Sequence, residues 1–376
     1  MNQIVRQVVI AGTEERRVAA QLVEQLCAPD LKLVLVFANY KLDQSALAAA
    51  LHGLRAPVVG CSALGVIGPR APLEGMATAA IGFYGDWLRV GIGIAPDLPK
   101  SALSRSRDAV IRAASALELT PEQLDPSTHV AITLIDGTCG HEEAFCIGSA
   151  VTAPQIRFVG GCASAAFEDD AHAPIWVNGE VVRDGGAVVL LASALPFQAI
   201  SSCHLIPTEL KTVVTAASGR LIQELDGKPA ALRARELIEG LGDRVAEPIP
   251  HHTFARMVDG MPYVRAMTFV NDGVMLAGSI PEAGHVLRIM RPGDLIGTTQ
   301  RDLAAARDKV GGQVAALLAF SCLGRYNEAA SYGTERALAG VYGETGAFGL
   351  HTFGEQSGML LVHDTLTGLA IGARRV

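Results

Sequence analysis

A chain of 376 residues, 49% hydrophobic and 18% charged, carries apolar material for more than one core, and its 40 glycines mark a globular, turn-punctuated protein. The formal charge of −7, with no run of Lys or Arg longer than a pair, excludes the electrostatic footprint of a nucleic-acid or anionic-membrane binder. Seven cysteines without a CxxC pair argue against a disulfide framework and a structural zinc site.

The opening "MNQIVRQVVIAGTEERR" has no basic region followed by a continuous apolar one, so it does not read as a secretory signal. The longest apolar run, Ala187 to Phe197, is too short to cross a bilayer. The expectation is a cytoplasmic protein without membrane insertion.

Along the chain one plan appears three times. The first unit has a strand "KLVLVFANY" (Lys32 to Tyr40), a helical "DQSALAAALHGL", a strand "PVVGCSALG" and an apolar strand pair "MATAAIGFYGDWLRVGIGI". The second has "HVAITLIDGT" (His129 to Thr138), the helix "GHEEAFCIGSAV", "RFVGGCASA" and "EVVRDGGAVVLLASALPFQAI". The third, at 315–376, has "AALLAFSCLGR", the helix "YNEAASYGTERALAGVYG", "GAFGLHTFGE" and "SGMLLVHDTLTGLAIGA". The continuous apolar first strands read as strands buried on both faces and joined to a parallel neighbour by a crossover helix.

Between units two and three, "TVVTAASGRLIQELDGKPAALRARELIEGLG" reads as a strand, a turn at Asp226-Gly227 and a helix opened by Pro229. A hairpin turning at Asn271-Asp272-Gly273 follows, then a strand leading into a helix before Val310. The reading is therefore α/β: repeated strand–helix–strand–hairpin units forming mixed sheets around a shared sheet, with an α+β region between the second and third. A boundary near Thr215 to Arg220 divides the chain into 1–215 and 216–376.

The echo of "GCSALG" at Gly60 in "GGCASA" at Gly160 ends an apolar strand in glycine, cysteine and small residues. Glycine lets the backbone turn and leaves room for close approach. In open α/β sheets ligands sit at the carboxyl ends of strands. Cys61 and Cys162 are thus structural thiols first and the rim of a pocket second. Catalytic signatures fail on spacing: "GCSAL" is not GxSxG, "HEEAF" lacks a second His four residues on, and no phosphate-binding glycine loop occurs.

The motifs "VVGCSALG", "FVGGCASA", "IQELDGKPA", "AFSCLGR", "HTFGE" and "HDT" (His363 to Thr365), in this order from about Leu31 to Ile371, resemble the landmarks of FIST domain proteins, N-terminal half first. Two positions depart from the family pattern: no tyrosine precedes "GE", and "HDT" stands where "HNQT" is commoner. The resemblance implies a bacterial sensory, ligand-binding protein of signal transduction and not an enzyme. It is similar to stand-alone members that bind haem, sense nitric oxide and act on a histidine kinase; a homo-oligomer is compatible with it.

Haem needs an imidazole ligand in an apolar slot. His204, in "SSCHLIPTE", is the candidate iron ligand, with His351 at the third unit's strand end as the alternative. His172 in its acidic loop reads as a surface residue, and His251-His252 as loop. A second reading is a sensor of a small metabolite such as an amino acid, bound by charged anchors among Arg325, Glu355 and His363 beside Cys61 and Cys162. A third is a cysteine-dependent enzyme using Cys61 or Cys162 with His351 and Glu355.

Overall fold

The computed structural model describes residues 4–68, 77–166, 172–246, 251–258, 260–271 and 273–373. The first unit runs β1 (Val5–Ala11), α1 (Glu15–Leu26), β2 (Leu31–Asn39), α2 (Gln44–Ala50), β3 (Val58–Ala63), β4 (Val66–Ile67) and β5 (Ala77–Tyr84). The second runs β6 (Leu88–Ala95), α3 (Leu98–Ser115), β7 (His129–Ile135), α4 (Glu142–Thr152), β8 (Arg157–Cys162), β9 (Ile175–Val177), β10 (Glu180–Val182) and β11 (Gly186–Ser193).

The third opens with β12 (Phe197–Ser202) and is interrupted by β13 (Ile206–Ser218), β14 (Leu221–Leu225), β15 (Lys228–Pro229), α5 (Ala230–Gly240), β16 (Phe254–Val258), β17 (Met261–Arg265), β18 (Met267–Phe269), β19 (Met275–Ala277) and β20 (Val286–Arg291). It resumes with α6 (Leu295–Lys309), β21 (Val314–Cys322), α7 (Leu323–Ser331), α8 (Glu335–Thr345), β22 (Ala347–Thr352), β23 (Glu355–Ser357), β24 (Leu360–Val362) and β25 (Leu366–Gly372).

The fold is α/β with mixed sheets, but the units do not share one sheet. Each builds its own, in the orders β1-β5-β2-β3-β9-β10, β6-β11-β7-β8-β23-β24 and β12-β25-β21-β22-β4. In each, one pair is parallel (β2–β3, β7–β8, β21–β22) and the flanking pair antiparallel (β2–β5, β7–β11, β21–β25). The apparent strand pairs divide between sheets: β5 stays in the first and β6 enters the second, while β11 stays in the second and β12 enters the third. Strands are also lent the other way, since β9–β10 complete the first sheet, β23–β24 the second and β4 the third. The "YNEAASYGTERALAGVYG" stretch is two helices, α7 and α8, broken where Gly333 takes φ +67°.

The period-2 alternation of strands explains the layers. Leu33, Leu35 and Phe37 of β2 enter a central core, while Val34, Val36 and Ala38 face α1 and α2. Val130, Ile132 and Leu134 of β7 and Leu318 and Phe320 of β21 enter that same core. Phe37 meets Phe320 edge-on at 6.2 Å between ring centroids. Each such fully buried aromatic contributes about 2–3 kcal/mol of transfer free energy. The three sheets thus surround one core, with helices outside.

The interrupting region forms a fourth sheet, β17-β16-β20-β13-β14-β19-β18, packed on α5. Helix α5 starts at Ala230 with Pro229 as its N-cap, so the expected helix is present, but Lys228 and Pro229 pair with β14 as β15 and do not form its first turn. The Val270 and Asn271 N–H groups donate to the Val274 carbonyl and close the β18–β19 hairpin; Asp272 of the expected turn lies outside the described residues.

Candidate functional site

The carboxyl ends of β7, β21 and β22 open toward the fourth sheet, and a cleft of about 330 Å³ lies between them. Its floor comes from Gly137 and Thr138 after β7, from Cys322, Leu323 and Gly324 where β21 passes into α7, and from Thr352 and Phe353. The turn before β25 supplies His363 and Asp364, and the fourth sheet supplies Arg220, Ala266 to Thr268 and Leu276 to Gly278. The location agrees with the rule that ligands collect at strand carboxyl ends.

Arg220 stands on the two-residue turn between β13 and β14, beside Gly219 at φ +55°. Its Nε donates to the Ala277 carbonyl at 3.2 Å and its Nη2 to the Gly278 carbonyl. Its Nη1 lies 3.9 Å from Glu142. Two backbone carbonyls therefore fix the guanidinium plane, with Nη1 turned toward the Glu142 carboxylate beyond hydrogen-bond distance.

Asp364 has φ +54°, a left-handed conformation that Asp and Asn adopt more readily than other side chains. The preference accounts for Asp or Asn at this turn. Its carboxylate lies against the start of α7, because a Cβ on Gly324 would overlap Oδ1. The helix dipole favours a negative charge there. Burial, and then the Glu328 charge, raise its carboxyl to about 6.

His363 is buried, with its ring between two glycines: a Cβ on Gly278 would stand 2.5 Å from Nε2 and one on Gly354 3.1 Å from it. Burial, with Arg265 and Arg220 nearby, lowers its pKa to about 3, so the ring is neutral.

Behind the cleft wall, Glu355 is fully buried and accepts from the Thr352 hydroxyl and from Thr365 Oγ1 at 2.7 Å. Burial raises it to about 8. Arg325 is fully buried; Nη2 donates to Thr299 Oγ1 at 2.6 Å, while Nε and Nη1 have no partner. Of the three anchors expected from sequence, His363 lines the cleft, Glu355 stands one hydrogen bond behind Thr352, and Arg325 lies within the protein next to the lining residue Gly324.

The two echo cysteines point to opposite sides of their sheets. Cys61 pairs with Phe37 and enters the central core, whereas Cys162 pairs with Ile135 and enters the layer under α3 and α4. Burial pushes both thiols up. Neither lines this cleft; Cys322 does, with Sγ 3.9 Å from Asp364 Oδ1 and its thiol also raised by burial.

His351 occupies on β22 the position of Ser62 on β3, since Ser321 pairs with His351 as Ala38 pairs with Ser62. Its ring packs on Tyr326 at 5.1 Å and below Gly65. Burial, with Arg325 nearby, lowers its pKa to about 4. His172 is exposed, and the loop at 167–171 before it lies outside the described residues.

His204 is buried, with Nε2 2.9 Å from Glu328 Oε2 and Nδ1 without a partner. A carboxylate on one imidazole nitrogen is the usual support of a metal-ligating histidine. A haem also needs a flat apolar slot reaching the other nitrogen. Among the described residues no cluster of three or more His, Cys, Asp or Glu could hold a metal ion, and no helix is long and apolar enough to cross a membrane.

Fold and cleft together define a class: a three-unit α/β protein with a concave site where strand ends meet an added sheet. The chain belongs to the FIST family, matching the FIST N domain over residues 32–228 and the FIST C domain over 230–358. Domains of this family are associated with sensory signal transduction.

An uncharacterized protein of Methanocaldococcus jannaschii is 35% identical over 83 residues, 22% of this chain and 16% of its own; the chain thus spans a small part of that relative's length. Among solved structures, a cyanuric acid hydrolase from A. caulinodans aligns over 99% of both chains with a TM-score of 0.35 and 14% identity, a likeness that carries no argument.

Neither Arg220 nor Asp364 stood out in sequence as a site residue. Arg220 is a basic residue on a polar turn, with no pattern around it. The one available signal for Asp364 was the departure of "HDT" from the family motif.

Proposed function

We propose that the protein is a sensor of a small zwitterionic metabolite, of the size and charge of an amino acid, and that it passes the bound state to a partner signalling protein such as a histidine kinase. The observation that carries this reading is one cleft of about 330 Å³ lined by a tethered guanidinium, Arg220, a helix-supported carboxylate, Asp364, and apolar walls from Met267, Leu276, Leu323 and Phe353. A ligand carboxylate would meet Arg220 and a ligand ammonium Asp364, with the neutral His363 as a hydrogen-bonding neighbour. Binding to the folded chain raises its melting temperature by mass action.

A thermal-shift screen with the twenty amino acids tests the proposal. At least one should stabilise the parent protein, and Arg220→Ala should abolish the effect. Haem-based sensing of nitric oxide is the competing reading, supported by the family resemblance and by the carboxylate on His204. No shift with any amino acid, together with a Soret band that nitric oxide moves and His204→Ala removes, would replace the metabolite reading with that one.

A further inference from the structure

A second cleft, of about 410 Å³, adjoins the first and shares Arg220, Met267 and Ala277 with it. Three guanidiniums line it: Arg220, Arg256 and Arg265. Their engagements differ. Arg265 donates to the Leu361 carbonyl at 3.0 Å and is paired with Glu143, so its charge is neutralised. Arg220 meets Glu142 only at 3.9 Å, beyond hydrogen-bond distance. Among the described residues, neither a carboxylate nor a carbonyl holds the Arg256 guanidinium.

The other acidic residue of the lining, Glu282, lies 3.2 Å from His285 on the exposed rim. The lining also carries apolar side chains, with Ile147 of α4 and Ile280 both exposed. A cleft that holds Arg256 without a carboxylate partner among the described residues, a second guanidinium shared with the first cleft, and apolar side chains suits an anionic group at the end of a short aliphatic stem.

We infer that this cleft is a second subsite that receives a carboxylate carried on the ligand's side chain, so that the sensed metabolite is an acidic amino acid. The inference rests on the metabolite reading above. Arg220, where the clefts meet, would hold the ligand's α-carboxylate, and Arg256 the distal one.

Calorimetric titration of the intact protein with glutamate, aspartate, glutamine and asparagine tests the assignment. The acidic pair should bind at least about tenfold tighter than their amides, as a charged hydrogen bond requires. Arg256→Gln should erase that preference while leaving amide affinity unchanged, and Arg256→Lys, which keeps the charge, should retain part of it; unchanged melting temperatures of both variants would show that the fold is intact. Equal binding of acids and amides, or a preference that survives in Arg256→Gln, would overturn the second subsite and leave the metabolite reading standing. Binding of none of the four would remove the inference, and the twenty-member screen would then decide the metabolite reading by itself.

Discussion

Trp176 of the second unit lies on Gly60 of the first. The two are direct cross-strand partners in β9 and β3, and a Cβ on Gly60 would overlap the indole ring. The indole is fully buried, with Nε1 3.3 Å from Gln44 Oε1 of α2. Gly60 is therefore small because a neighbouring unit's largest side chain needs the space.

Gly60→Ala should destabilise the protein by about 1–3 kcal/mol through overpacking, more than the gain from a stiffer unfolded chain. Gly343→Ala is the control: it lies in α8 with nothing within 4 Å of its added Cβ, and should be neutral or stabilising. Thermal unfolding of both variants checks the pair, and a harmless Gly60→Ala would contradict the packing described.

The shifted titratable groups in and around the cleft predict how stability depends on pH. His363 and His351 are lowered from 6.5 to about 3 and about 4, so both make stability fall on acidification below 6.5. Asp364 is raised from 3.8 to about 6 and Glu355 from 4.5 to about 8, so the folded state holds these protons more tightly and stability falls as pH rises through those windows.

Below pH 6 the two effects oppose each other. Between 6.5 and 8 only Glu355 of these four still titrates, and the unfolding free energy should drop by about 1.4 kcal/mol per pH unit at most. Glu355→Gln should flatten that segment of the profile. Denaturant titrations at pH 6.5, 7.2 and 8 would detect the slope, and a stability that rises across this range would refute the assignment.

Asp364 combines two roles that substitution can separate. Asp364→Asn keeps a residue that tolerates φ +54° but removes the charge, so its melting temperature should match the parent while amino-acid affinity falls at least about tenfold. Asp364→Ala should lose the affinity and about 1 kcal/mol of stability as well, because alanine is strained in the left-handed region. Equal affinity of parent and Asp364→Asn would show that no ligand ammonium meets this carboxylate.

The thiols give a test of catalysis. Cys61, Cys146, Cys162 and Cys322 are buried, their thiols held up by burial, whereas Cys27 is exposed. A thiol reagent at neutral pH should label Cys27 rapidly and those four only in denaturant. Fast stoichiometric labelling of native Cys61 or Cys162 would favour a cysteine enzyme.

The three-unit plan was legible in sequence because strands such as β2 and β7 are continuously apolar, the mark of burial on both faces. The division of β5 from β6 was not. "FYGDWL" reads as a hairpin turn, and only the twist and packing of whole sheets decide which side each strand joins. Likewise "GGC" against "GC" looks like one motif, yet the paired positions place Cys61 and Cys162 on opposite faces. The cleft escaped the sequence for a related reason. Half of its wall comes from the fourth sheet, where Ala266, Met267, Ala277 and Gly278 contribute shape rather than recognisable chemistry.

The lending of strands between units also constrains how the chain can be made. As it leaves the ribosome the first sheet cannot be completed until residues 175–182 have emerged, and the second lacks its border until residues 355–362 arrive. The third must in turn accept β4 from the opening unit. Each early sheet therefore waits with an unpaired edge, and native order can be established only after nearly the whole chain has been synthesised.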